Sequence, residues 1–171
     1  MNRAPESVWT KWRRFRELPP LERSLVLRAM ALLPLTEAGL RLMGFRRWKE
    51  LVEHLSLSVP QRRILERADQ QMMAERISRS VRSAELHGPG TPNCLERSLT
   101  LWWLLQCYGI DGELHVGARK SESHFEAHAW VELRGVVLND SPNVHKHYAR
   151  FDAPIAAAEA GSHAAGGAAS R

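Results

Sequence analysis

A chain of 171 residues, 44% of them hydrophobic, can bury one sizeable core and is too short for two independent catalytic domains. With only two cysteines, Cys94 and Cys107, and an N-terminus that leads from Met-Asn-Arg-Ala-Pro-Glu-Ser into charged residues rather than an apolar signal core, it reads as cytoplasmic with reduced thiols. The formal charge of +5 and a pI of about 9.8 come mainly from the first half, at Lys11, Arg13, Arg14, Arg16, Arg46, Arg47, Lys49, Arg62 and Arg63, which favours acidic or membrane-surface partners and identifies neither.

The first half reads as helix throughout. Val8 to Arg16 is a short basic segment in which Trp9, Trp12 and Phe15 recur every three residues, giving one aromatic edge before Pro19 and Pro20 break it. Leu21 to Leu33 is a strong helix that Pro34 is expected to end or kink. Arg28, Pro34, Glu37 and Arg41 interrupt the apolar run from Leu25 to Met43, which argues against a membrane span of about 20 apolar residues. Membrane contact through the N-terminal helices stays open, while packing of these faces on the rest of the domain is the favoured reading. Gly44 closes the stretch. Phe45 to Leu55 is a further amphipathic helix, and Pro60 to about Leu86 a longer one with Ile64, Leu65, Ala68, Met72, Ile77 and Val81 at roughly helical spacing.

The second half changes character at the loop Gly88-Pro89-Gly90-Thr91-Pro92. Asn93 is a good N-cap and Glu96, three residues on, its capping-box partner, so Cys94 falls at the first helical position. Unpaired backbone N–H groups there favour an anion, and the thiolate is the reactive form of cysteine. Apolar residues lie nearly all round the helix from Cys94 to Tyr108, predicting burial on several sides, and Gly109 fits a C-terminal cap. Three strand-like pieces follow at Glu113 to Ala118, Glu126 to Leu133 and Val136 to Asp140, with Arg134-Gly135 as a hairpin turn. A three-residue loop would set position 128 opposite position 140. A two-residue loop slips the pairing by one, so that His128 and Asp140 meet only in the first register or across a bulge. Ala156 to Arg171, rich in Ala, Gly and Ser, reads as a disordered tail.

Cys94, His128 and Asp140 thus supply a nucleophile, a base and an orienting group in chain order. Plainer roles compete with each. A lone cysteine before an apolar helix is usually a small buried hydrophobe, which remains the reading for Cys107, turned about 220° from Cys94 along the helix. His128 shares one strand face with Trp130 and Glu132, suggesting a cleft with an aromatic wall, although Trp130 itself reads as packing. Asp140 before Ser141-Pro142 can initiate a turn. His124 with His128, and His145 with His147, raise zinc, but His-Phe-Glu-Ala-His lacks the glutamate placement of the metalloprotease motif, so no metal site is expected.

Asn93-Cys94-Leu95-Glu96-Arg97-Ser98-Leu99, a Gly at 109, Glu126-Ala127-His128-Ala129-Trp130-Val131-Glu132 and Val137-Leu138-Asn139-Asp140 together resemble the transglutaminase-like cysteine peptidases of lasso peptide biosynthesis, over about Pro60 to Asp140. The resemblance implies an α+β fold, in which a helical N-terminal half (residues 1–59) packs on a transglutaminase/papain-like core of a central helix and a small antiparallel sheet (60–153), ahead of the tail (154–171). It implies a catalytic triad of Cys94, His128 and Asp140 that needs neither cofactor nor metal. The implied activity is removal of the leader from a ribosomally made precursor peptide, whose new amine a lasso cyclase then closes onto an Asp or Glu side chain. The absence of a strand-rich segment before Pro60 points to the form that works with a separate leader-recognition protein, and nucleic acid is not an expected partner. Another transglutaminase-like acyl-transfer enzyme and a non-catalytic basic peptide-binding module are the alternatives.

Overall fold

A computed structural model describes residues 13, 15–57, 66–120 and 125–151. Trp9 and Trp12 of the expected aromatic edge, residues 60–65, His124 and the C-terminal tail lie outside the described residues, and the helix expected from Pro60 begins only at Arg67, after an extended Glu66. The architecture is α+β, as expected: helices α1 (Pro20–Leu57), α2 (Arg67–His87) and α3 (Cys94–Cys107) form one layer, and a four-stranded antiparallel sheet the other.

Pro34 does not end α1. It sits inside the 38-residue helix, and the non-helical backbone comes ten residues later at Gly44 (φ 76°, ψ 168°). A proline already has a helix-compatible φ and forfeits one backbone hydrogen bond, a loss that the buried side chains Leu33 and Thr36 on either side offset by packing. Gly44 does what the sequence predicts of it: a positive φ is open to glycine, and it divides α1 into two helical pieces. Trp48, beyond the break, then lies across Gly39 before it. A Cβ at Gly39 would come within 2.2 Å of the indole, so only glycine permits this contact.

The core is centred on α3. Leu99, Leu101, Trp102, Trp103, Leu104 and Leu105 are all buried, which is why apolar residues surround this helix in the sequence. From one side come Leu25, Ala29, Leu33, Trp48 and Val52 of α1, and Trp48 meets Trp103 edge to face at 5.9 Å. Ala74, Ile77, Val81 and Ala84 of α2, spaced by three and four residues, add a second stripe. Val131 and Leu133 close the cluster from the sheet. Each leucine, isoleucine or valine among them contributes about 1.5–3 kcal/mol by leaving water.

Strands β1 (Glu113–Lys120) and β2 (Phe125–Leu133) pair antiparallel, with Gly117 opposite His128 and His115 opposite Trp130. A two-residue turn joins β2 to β3 (Val136–Val137); Arg134 (φ 51°) and Gly135 (φ 78°) both have positive φ, as a type I′ hairpin turn requires. The third strand is therefore shorter than the expected Val136 to Asp140. A short helix α4 (Val144–His147) and a strand β4 (Ala149–Arg150), neither apparent from the sequence, carry the chain across to the far edge of β1, giving the order β3-β2-β1-β4.

Candidate active site

The start of α3 is built by its own residues. The Asn93 side chain accepts from the Glu96 amide (3.0 Å), and the Glu96 carboxylate accepts from the Asn93 amide (2.9 Å), forming the capping box that the sequence predicts. Cys94 is therefore the first residue of the helix, and it is half-buried. One turn on, the buried Ser98 hydroxyl donates to the carbonyl of Ala129 (2.9 Å) and accepts from Asn139 Nδ2 (2.8 Å). Ser98 thus touches the chain neighbours of His128 and of Asp140.

Further along α3, a Cβ on Gly112 would lie 2.6 Å from Leu105 Cδ1 and 3.4 Å from Val131 Cγ1, so the far end of the helix also borders β2. Cys94 lies one turn, about 6 Å, before Ser98 along the helix.

The hairpin brings the other two residues together in spite of its register. The two-residue turn is the pairing that slips position 128 against position 140, and the ladder does not run far enough to enforce it. At Leu138 the amide still donates to Val131 O (2.9 Å), but the Leu138 carbonyl turns to accept from Ser78 of α2 (2.6 Å), and the Asn139 side chain accepts from the Val131 amide in its place (2.8 Å). Freed from the ladder, Asp140 reaches the ring: His128 Nε2 lies 2.6 Å from Asp140 Oδ2. The competing reading of Asp140 as a turn residue is also met, because its other oxygen, Oδ1, accepts from the Ser141 amide (2.6 Å). A neutral imidazole with its proton on Nε2 donates it to Asp140 and keeps Nδ1 as its basic nitrogen.

Around His128 the second face of the sheet is aromatic and charged. Trp130 is fully buried, so it underlies this face rather than walling an open cleft; its centroid lies 6.3 Å from that of His128 and 5.7 Å from that of His115. Its indole N–H donates to Glu132 Oε1 (2.8 Å), which also accepts from Arg150 Nη2 (2.5 Å). Burial opposes the charge on Glu132, yet these two donors outweigh it and hold the carboxyl below its ordinary range. His115 is pushed the other way: burial, reinforced by the Arg150 charge, lowers it and favours the neutral ring, with Glu132 and Glu113 opposing. Tyr148 stacks on His128 at 4.8 Å between centroids.

Cys107 is half-buried against the core, 4.0 Å from Ser56 Oγ, and burial pushes its thiol up. Among the described residues no group of three or more His, Cys, Asp or Glu is placed to hold a metal ion, and no helix is long and apolar enough to cross a membrane.

Sequence reasoning passes over Ser98, Asn139 and Tyr148. Ser98 carries the clearest signal, a hydroxyl in a helix otherwise apolar on nearly every side, four residues from Cys94. Asn139 resembles a turn residue until its partner is known. Tyr148 has no local signal, since β4 is two residues long.

The family model described as Transglutaminase-like superfamily matches residues 32–152. Among curated proteins, the chain is 40% identical over 52 residues to the Microcin J25-processing protein McjB of Escherichia coli. That match takes in 30% of this chain and spans about a quarter (24%) of the relative. No solved structure matches.

Proposed function

For a chain that belongs to the transglutaminase-like superfamily, we propose the activity of a cysteine peptidase that removes the leader from a lasso peptide precursor, with Cys94, His128 and Asp140 as its triad. The observation that carries this reading is the 2.6 Å bond between His128 and Asp140, whose chain neighbours Ala129 and Asn139 are both bonded to Ser98, one turn after Cys94. The likeness to a processing protein of microcin J25 supports the substrate class.

The chemistry follows from the bond pattern. Asp140 holds the Nε2 proton and stabilises the imidazolium, so Nδ1 is the atom that takes the proton from the Cys94 thiol. The sulfur attacks the carbonyl at the leader's end, and the oxygen charge that develops is met by the Cys94 backbone N–H at the helix start. As the C–N bond breaks, His128 returns the proton to the departing amine of the core peptide. Water, deprotonated by His128, then cleaves the thioester to release the leader carboxylate and restore the thiol. A separate leader-recognition protein would present the precursor, and a cyclase would consume the new amine.

The test is processing of the precursor by purified Cys94→Ala and His128→Ala proteins together with the leader-binding partner. Both are expected to lose cleavage by about 10³-fold or more while melting within a few degrees of the parent. Cleavage retained in either folded variant removes the reading. An amine added to the acyl-enzyme separates peptidase from crosslinking chemistry: hydrolysis prevails for a leader peptidase, whereas transfer to the amine marks an exchange enzyme.

A further inference from the structure

Tyr148 stands outside the triad, on the link between α4 and β4, yet its ring covers a face of His128 with an interplanar angle of 26°. The centroids of Tyr148, His128 and Trp130 form a triangle with sides of 4.8, 6.3 and 6.5 Å; both aromatic rings are stacked on the imidazole, and Tyr148 is the nearer. Asp140 fixes one ring atom, and a single hydrogen bond leaves the plane free to tilt. What is needed in addition is a surface against one face.

That surface is itself anchored. The Tyr148 hydroxyl donates to Glu126 Oε1 (2.7 Å), whose other oxygen accepts from Arg119 Nε (2.8 Å) and pairs with Arg119 Nη2 (2.7 Å). Arg119 and Glu126 are direct cross-strand partners on β1 and β2, and the guanidinium lies 5.1 Å from the Tyr148 centroid. Donation to a carboxylate pushes the Tyr148 phenol up, and the same bond, with Arg119, holds Glu126 down. The backbone on both sides is pinned as well: the Tyr148 amide donates to Val144 O (3.2 Å), and Ala149 pairs with Ala118. Gly117, opposite both His128 and Arg150, keeps the space between them open, since a Cβ there would meet Trp130 at 3.0 Å and the Ala149 carbonyl at 2.9 Å.

We propose that Tyr148 is a positioning residue, its ring held by the Arg119–Glu126 pair so as to fix the plane of the His128 imidazole, and with it the direction in which Nδ1 is presented. The proposal deepens the peptidase reading and rests on it for its meaning in catalysis. Its structural content is independent of that reading, because the orientation of a ring can be measured without a substrate.

The experiment compares Tyr148→Leu, Tyr148→Phe and Glu126→Gln with the parent chain by two readouts: the imidazole tautomer balance from ¹⁵N-histidine NMR, and the rate at which iodoacetamide alkylates Cys94. Tyr148→Leu is expected to slow alkylation by about three- to tenfold and to raise the Nδ1–H tautomer at the expense of Nε2–H. Tyr148→Phe keeps the ring and should stay within about twofold to threefold of the parent. Glu126→Gln leaves the apolar surface whole and should shift both readouts in the same direction by a smaller factor, so the question survives a Leu variant that does not fold. A folded Tyr148→Leu protein with the parent's tautomer balance overturns the proposal. So does a Phe variant impaired as much as Leu, since that would assign the role to the hydroxyl. If His128→Ala leaves alkylation of Cys94 untouched, the peptidase reading is lost, and the tautomer balance alone then upholds or overturns the positioning role.

Discussion

The two faces of β2 are a comparison made by one strand. Ala129, Val131 and Leu133 point to α3, and Val131 and Leu133 join the apolar core built by α1, α2 and α3. His128, Trp130 and Glu132 point the other way, into a layer of rings and charges with His115, Tyr148 and Arg150. The first face tolerates repacking as long as volume is kept. The second depends on named partners, because the buried Glu132 carboxylate is stable only while its donors Trp130 and Arg150 are present. The two faces are joined at one point, where Ser98 of α3 holds the Ala129 carbonyl beside His128 and the Asn139 amide beside Asp140.

Substitutions can separate the two faces. The largest effect on chemistry without loss of fold is expected of Asp140→Asn: the amide keeps the shape but presents a donor or a weaker acceptor to Nε2, so precursor cleavage should fall by about 10³-fold with little change in melting. A variant cleaving at the parent rate would show that the bond between His128 and Asp140 is structural. On the apolar face, Leu99→Ala should lower stability by about 2–5 kcal/mol in urea unfolding, with the His128 tautomer balance unchanged in the folded protein. A tautomer shift in that variant would show that the two faces are coupled.

Asn139→Ala bears on the seam between them. It strands the Val131 amide and removes a partner of Ser98, so a loss of about 1–3 kcal/mol is expected, together with weaker cleavage as Asp140 drifts from the ring. Acid should act on the second face. The native protein resists protonating His115, whereas the unfolded chain takes up that proton near the ordinary value of 6.5, so stability falls as the pH drops below 6.5. Glu132, held below its ordinary 4.5, adds a further loss in the same direction at lower pH, as its charge is neutralised. Urea midpoints from pH 7.5 to about 2.5 should show both limbs; His115→Gln should flatten the upper one and Glu132→Gln the lower one. Gly135→Ala, at φ 78° in the hairpin turn, is the smallest change, expected to destabilise by about 1 kcal/mol.

Local chemistry was the most legible part of the chain. The capping box at Asn93 and Glu96, the all-round burial of α3, the break at Gly44 and the turn at Arg134-Gly135 each follow from residues within one or two turns of one another. Pro34 misled, because a proline is a local signal and the packing of Leu33 and Thr36 that retains it in the helix is not. The β4 strand and the Tyr148 stack were illegible for the same reason: two residues carry no period, and their partners on β1 and β2 are some thirty and twenty residues away in sequence.

The sequence by itself determined the order Cys94, His128, Asp140 and the helix start on which the first of them stands, since capping and periodicity act over a few residues. The meeting of His128 with Asp140 was decided only in the tertiary structure. The hairpin register alone would have set them one position apart, and it is the bonds from Ser78 to Leu138 and from Asn139 to Val131 and Ser98, reaching across α2, α3 and β2, that turn the chain out of the ladder and bring the carboxylate to the ring.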